Sequence, residues 1–293
     1  MSSGPDGEQP PRAAGNRSPR PEAELRDAIG PRITAITFDF GNTLVPVDRA
    51  GLHRVVERTA EQVAARLGPF PVDRFLAVWA DERDRQFREE VPRFREVDLG
   101  DRFVRVLARL RGMAPPDAAD RWHQDEAAGH SAADEIAWAV EVYSAAFVDG
   151  LPPPPHVEPF LKRLSAHHVL GILSNWPLAA TVDRYAEAAG WAPHLRAIVV
   201  SQRIGTIKPH AAIFEAARQA LGDPPPERLL HVGDDWAADV VGAKRAGWRA
   251  AFLDGRPHDS PLPDSARDDS VTADFELTKL ADLEAALDRA STP

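Results

Sequence analysis

The chain has 293 residues, 43% of them hydrophobic and 27% charged, which is enough apolar content to bury a sizeable core in about two domains. Its formal net charge of −10 argues against a broad nucleic-acid footprint or attachment to an anionic membrane surface. With no cysteine, disulfides, thiolate nucleophiles and Cys-ligated zinc are excluded.

Residues 1 to about 30 are rich in Pro, Gly, Arg and Ser and nearly devoid of apolar side chains, so they are expected to be a disordered tail. No apolar segment follows a basic start, and no run of about eighteen apolar residues occurs. Neither a secretory signal nor a membrane span is expected, and the expected location is cytoplasmic.

Residues 33 to 45, ITAITFDFGNTLV, come next. Ile33, Ala35, Ile36 and Phe38 read as a short buried strand that ends at Asp39, ahead of Gly41 and Asn42. Alone, an Asp in that place is more often a turn-former than a nucleophile. The carboxyl end of a strand in an open α/β sheet is nevertheless where ligands bind.

From Arg49 to about Gly150 the periodicity is helical. Leu52, Val55, Val56, Val63 and Leu67 share one face, and Gly68 with Pro69 ends that helix. Val72, Phe75, Leu76 and Trp79 begin a second. Phe103, Val106, Leu107 and Leu110 mark a third that stops at Gly112, and Ile136, Val140, Tyr143 and Phe147 mark a later one that stops at Gly150. A further helix is expected around Trp122. Residues 49–150 thus read as an inserted all-helical subdomain. Between residues 81 and 111 arginines and acids nearly balance, the pattern of a solvated face, with Arg93 and Arg95 in an inter-helix loop within reach of a ligand.

Pro152 to Pro155 mark a stiff boundary, after which strand and helix patterns alternate. Strands are expected at VLGILSN from Val169, AIVVS from Ala197, LLHVGDD from Leu229, AAFLD from Ala250, and near Ala273 to Leu277. Helices fall around Phe160 to Leu164, Thr181 to Ala189, Ile213 to Leu221, Ala237 to Ala246, and from Leu280. This alternation implies an α/β fold with a Rossmann-like parallel sheet covered on both faces, built from residues 31–48 and 151–293.

Ser174 with Asn175 closes one of these strands, Lys208 stands at the start of a helix in RIGTIKPHAAIF, and Asp234, Asp235 and Asp239 follow another strand in HVGDDWAADVVGAKRAG. Each has a plain role: Ser and Asn are common turn residues, lysine is usually solvated, and Asp234 or Asp235 suits a helix cap. Together, a carboxylate, a hydroxyl, a lysine and an acid cluster at strand ends exceed what turns require. Carboxylates on two strand ends suit a hard cation such as magnesium, and lysine with serine suits phosphate oxygens. No G-x-S-x-G elbow, Walker loop, G-x-G-x-x-G or H-E-x-x-H occurs. The histidines, including His167 and His168, lack metal-ligand spacing and read as surface or packing residues. Trp176 suits either the pocket lining or packing under the helical block.

The ordered set FDFGNTL, ILSN, IGTIKP and VGDD with Asp239 resembles the motifs of the haloacid dehalogenase (HAD) superfamily. The resemblance covers essentially everything after residue 30, with the helical block in the place of that family's C1-type cap. It implies that Asp39 attacks phosphorus to give an aspartyl-phosphate, with magnesium held by Asp39, the Gly41 carbonyl and Asp234. It further implies that Ser174 binds phosphoryl oxygens and Lys208 neutralises nucleophile and phosphate, with Thr43 and Asn175 beside them and Asp235 and Asp239 in support. The expected activity is that of a magnesium-dependent phosphatase acting on a small phosphorylated metabolite, without nucleic-acid or membrane partners. Two alternatives are a C–halogen or other hydrolase using Asp39 without strong metal need, and a silent protein binding a phosphorylated ligand or a partner. A binding module needs no nucleophile, which weighs against silence.

One position departs from the pattern. Phosphatases of that family usually carry a second Asp, acting as general acid and base, two residues after the nucleophile, where this chain has Gly41. Losing a general acid costs on the order of 10²–10⁴ in rate when the leaving oxygen is poor. Activated phosphates are therefore the expected substrates, and Gly41→Asp is expected to speed alkyl phosphate hydrolysis provided the carboxylate fits.

Overall fold

The structure is a computed structural model that describes residues 1, 32–122 and 126–291. Except for Met1, the expected tail of residues 1 to 30 lies outside the described residues.

Six parallel strands form one sheet: β1 (Ala35–Phe38), β2 (Val169–Ser174), β3 (Ala197–Val200), β4 (Leu229–Gly233), β5 (Arg249–Leu253) and β6 (Phe275–Leu277). Their spatial order is β3-β2-β1-β4-β5-β6, so the chain turns from one half of the sheet to the other between β1 and β4. Side chains alternate faces along β1. Ile36 and Phe38 enter an apolar cluster with Phe160 and Leu164, while Ala35 enters another with Leu229 and Ile213. Burial on both faces explains why this strand is a continuous apolar run rather than an alternating one. Phe38 pairs with Ile172 on one side and Val232 on the other, which brings the carboxyl ends of β1, β2 and β4 together at the reversal of strand order, where such sheets bind ligands.

Between β1 and β2 lie α1 (Arg49–Leu67), α2 (Val72–Glu90), α3 (Leu99–Leu110) and α4 (Ala133–Gly150), with no strand among the described residues. Asp48 starts α1 by accepting from the Gly51 N–H at 2.5 Å, and Asp98 starts α3 by accepting from Asp101 N–H at 3.1 Å. Around the sheet run α5 (Val157–Ser165), α6 (Ala179–Ala188), the single turn α7 (Ser201–Ile204), α8 (Ala211–Ala220), α9 (Gly242–Arg245) and α10 (Asp282–Ser291). Among the described residues, no helix is long and apolar enough to cross a membrane.

The structure corrects four expectations. No helix forms over residues 111–122: Pro115 and Pro116 lack N–H donors, and Arg85 takes up the carbonyls of Pro116, Asp117 and Asp120 at 2.8 to 3.2 Å. Trp122 instead plugs the block, donating its indole N–H to Glu82 at 3.0 Å. The charged stretch from 81 to 111 is not simply a solvated face, because Glu82, Arg85, Glu89 and Arg102 are buried between helices. Arg109 reaches Glu82 at 2.7 Å and Arg105 reaches Glu89 at 3.1 Å, so α3 is tied to α2 by ion pairs. The helix expected from Ala237 opens as a π-helix, Trp236–Val241, before α9. Finally, Lys208 ends no strand and starts no helix; it stands in the turn between α7 and α8.

Candidate active site at the carboxyl edge of the sheet

Asp39 leaves β1 with its amide N–H donating to the Val232 carbonyl at 2.8 Å, so it is still registered against β4. Phe40 anchors the next position, its ring centroid 5.0 Å from Trp176 and 5.2 Å from Tyr185. Lys208 is 2% exposed and donates to Asp39 Oδ1 at 2.9 Å, to Asp239 Oδ1 at 2.6 Å and to the Leu173 carbonyl at 2.9 Å. Only one oxygen of Asp39 is engaged by the lysine, which leaves the other available to a ligand.

The loop carrying Lys208 is locked by Asn175. That amide accepts from the Lys208 N–H at 2.7 Å and donates to the Lys208 carbonyl at 3.1 Å. Asn175, expected beside the phosphate, lines the cavity over Asp39, and its amide also places the lysine. Thr43 likewise turns its hydroxyl to Asp234 Oδ1, at 3.2 Å, and does not line the cavity around Asp39. Ser174 is different: fully buried at the end of β2, its Oγ makes no well-formed hydrogen bond, though it lies close enough to Asp39 to favour the carboxylate.

Asp239 sits on the π-helix and folds back over Gly233, where an added Cβ would fall 2.1 Å from its carboxyl carbon. A π-turn widens the helix by one residue per turn, and such turns concentrate at functional sites. Both Asp239 oxygens are occupied, Oδ1 by Lys208 and His231 and Oδ2 by the Asp235 N–H at 2.8 Å. Asp235 caps the π-helix, accepting from Ala238 N–H at 2.7 Å and the Ser265 hydroxyl at 2.8 Å.

Sequence reasoning missed His231 and Arg256. His231 is buried within β4, hydrogen-bonded to Thr37 Oγ1 at 2.8 Å and to Asp239 at 3.0 Å, and one neutral tautomer satisfies both bonds. A histidine inside an apolar strand was the available signal. Arg256 Nη1 lies 3.3 Å from Asp234 Oδ2, brought there by the loop after β5, which carries no motif. Arg93 and Arg95 do not line the cavity: Arg93 donates to the Glu89 carbonyl, and Arg95 to Glu90 at 2.6 Å.

Burial raises the Asp39 pKa, and the nearby Asp239 charge adds to this while Lys208 opposes it. Burial and the charges of Asp39 and Asp239 push Asp234 up to about 8. Burial opposes the charge on Asp239, yet Lys208 and His231 hold its carboxyl well below the usual range. His231 is kept neutral by burial and by the adjacent Lys208 charge. Asp39, Asp234 and Asp239 each bring a carboxylate oxygen within 4.8 Å of the others. This crowd of hard oxygens suits a magnesium-like cation: Asp39 keeps one oxygen clear of the lysine, Asp234 would share its oxygens with Thr43 and Arg256, and Asp239 is held by Lys208, His231 and the Asp235 N–H.

A cavity of about 350 Å³ opens over these groups, lined by Asp39, Lys208 and Asp234 below and by Arg83, Arg102 and Tyr143 of the helical block above. A larger cleft of about 1160 Å³ on the block contains none of the three acids. Trp176 both packs on Phe147, with ring centroids 5.2 Å apart, and lines the cavity. At Gly41 an added Cβ would meet Leu262 Cδ1 at 2.6 Å and Trp176 Cζ3 at 3.0 Å. The expected benefit of Gly41→Asp therefore requires the Leu262 side chain, from the loop after β5, to move aside, with Trp176 bounding the space on another side.

Comparison with known proteins agrees with this architecture. The chain is 26% identical over 121 residues to a pyrimidine 5'-nucleotidase of Escherichia coli, a match over 41% of this chain that spans only 53% of the relative. To the 5-amino-6-(5-phospho-D-ribitylamino)uracil phosphatase of the same organism it is 27% identical over 255 residues, covering 86% of this chain and 95% of the relative. The crystal structure of a 2-haloacid dehalogenase from Pseudomonas syringae shares the fold, with a TM-score of 0.60 at 23% identity over 88% of this chain and 99% of that one. The family description haloacid dehalogenase-like hydrolase matches residues 33–247, and with a parallel sheet that carries Asp39, Ser174 and Asp234 at one edge, the chain belongs to the haloacid dehalogenase-like hydrolases.

Proposed function

We propose that the chain is a magnesium-dependent phosphatase acting on a small phosphorylated metabolite. The observation that carries this reading is the buried Lys208, 2.9 Å from Asp39 and 2.6 Å from Asp239, beside a Ser174 hydroxyl that lacks a partner. A phosphoryl group at Asp39 would give that hydroxyl its acceptor and the lysine a second anion. Magnesium held by Asp39, the Gly41 carbonyl and Asp234 would, when bound, neutralise charge on the phosphoryl oxygens. The free oxygen of Asp39 attacks phosphorus, the bond to the leaving oxygen breaks, and that oxygen takes up a proton. Water then attacks the aspartyl-phosphate at phosphorus, releasing inorganic phosphate and restoring Asp39. Asn175 and Asp239 hold Lys208 in place, and Asp235 holds the turn that presents Asp239. In this reading residues 49–150 act as a cap over a core of residues 31–48 and 151–293, since Arg83, Arg102 and Tyr143 face the same cavity as Asp39.

A relative that matches most of the chain is itself a phosphatase, which supports the assignment. A C–halogen hydrolase with little metal need fits less well, because the three crowded acids outnumber the two cations beside them, Lys208 and Arg256, an excess of negative charge that a bound metal would offset. The test is a panel of phosphate monoesters and 2-haloacids assayed with and without magnesium. Magnesium-dependent phosphate release is expected, lost more than about 10³-fold in Asp39→Asn while the fold persists. Halide release without phosphate release would overturn the proposal.

A further inference from the structure

Arg102, on α3, is 5% exposed and lines the cavity that contains Asp39. Its Nε donates to Gln86 Oε1 at 2.8 Å, and the Gln86 amide is itself fixed by donating to the Asp98 carbonyl at 2.9 Å. The guanidinium lies 5.2 Å from the Trp79 ring centroid. Among the described residues no carboxylate lies within 4.0 Å of it. The other buried or half-buried arginines of α2 and α3 are matched: Arg83 pairs with Asp84 at 2.8 Å, Arg85 and Arg105 face Glu89 at 3.8 and 3.1 Å, and Arg109 faces Glu82 at 2.7 Å.

A buried cation without a counterion is costly, and burial draws the Arg102 pKa down to about 10, still cationic at neutral pH. Arg83 lines the same cavity and adds like-charge repulsion, while Glu96 on that wall attracts Arg102 from beyond ion-pair distance and has its own charge disfavoured by burial. The cavity thus has two ends: Asp39, Lys208 and Asp234 at the sheet, and a fixed, unmatched guanidinium at the helical block. We propose that Arg102 binds a second anionic group, carboxylate or phosphoryl, on a substrate whose scissile phosphate sits at Asp39. This rests on the phosphatase reading and names the substrate class within it: dianionic-headed phosphate monoesters that carry a further anion at their far end.

The test uses phosphate monoesters of graded chain length ending in a carboxylate, a second phosphate or a hydroxyl, with an aryl phosphate as reference. The wild type should prefer one of the anionic series over the hydroxyl series by about 10- to 100-fold in kcat/KM, and which one identifies the group. In Arg102→Met that ratio should collapse toward one through KM, while Arg102→Lys should keep part of it. A purely packing role for Arg102 would leave the ratio unchanged, and an unchanged ratio in either variant overturns the proposal. If Arg102→Met does not fold, the Lys variant carries the same decision. If the wild type hydrolyses the aryl phosphate without preferring an anionic series, the anion site is wrong and the phosphatase reading stands. If it hydrolyses no phosphate, that reading falls, and thermal shift with glutarate decides the anion site: stabilisation of the wild type but not of Arg102→Met supports it, and no difference overturns it.

Discussion

Gly41 shows how one missing side chain is felt through its neighbours. The position reads as a lost general acid, yet Leu262 and Trp176 occupy the space in which an Asp would have to stand. Gly41→Asp alone should therefore lower activity on every phosphate ester and destabilise the protein by roughly 1–3 kcal/mol, the usual cost of overpacking. Adding Leu262→Ala should restore stability and raise the alkyl phosphate rate selectively. Rates against leaving-group pKa in the single and double variants check this; a single variant that is faster on alkyl phosphates would show that the loop yields freely. Glu96 provides a second residue-level test. Burial raises its pKa above the ordinary 4.5, against hydrogen bonds from Ser201 and the Val97 N–H. A raised folded-state pKa means that its contribution to stability is complete below pH 4.5 and is lost as pH rises through the folded value. Glu96→Gln should remove that part of the decline, measured by urea unfolding from about pH 4 to pH 7, and an unchanged slope would contradict the assignment.

At the scale of elements, α2 and α3 are joined by charge as well as by apolar packing. Glu82 is fully buried and receives both the Arg109 guanidinium, at 2.7 Å, and the Trp122 indole N–H, at 3.0 Å. Glu82→Ala should destabilise the protein by roughly 3 kcal/mol, because it strands the Trp122 indole donor, leaves Arg109 with Asp81 alone and opens a cavity. Denaturant unfolding checks this, and a loss below about 1 kcal/mol would place the pair among weak surface bridges. A mixed-charge stretch reads as solvated because composition alone does not say which charges find partners on the next helix. The π-helix is a similar case: apolar spacing from Ala237 to Ala246 is nearly the same for either helix type. The hydrogen bonds that Asp239 accepts from Lys208 and His231, made in the folded state, accompany the wider turn.

For the whole molecule, the acids gathered from β1 and β4 should make stability depend on ligands. Magnesium with fluoroberyllate, a phosphoryl mimic, should stabilise the wild type by about 2.7 kcal/mol at a hundredfold excess over Kd, and Asp234→Ala should lose most of this. Thermal melts with and without the pair of ligands measure it, and no shift in the wild type would count against the metal-dependent phosphoryl site. The sequence by itself determined the alternating α/β pattern, the helical block between the first two strands and the order of the motifs, because apolar periodicity and turn chemistry are local. It also placed Asp39, Ser174 and Asp234 at strand ends, since each directly follows or closes its own apolar run. Only the tertiary structure decided which acid keeps free oxygens, that Asn175 holds the Lys208 loop, that His231 joins the charged network, and that Leu262 fills the space at Gly41. Those outcomes depend on contacts between residues far apart in the chain, such as Lys208 and Asp39 at a separation of 169 positions, and no local pattern encodes which distant side chain arrives there.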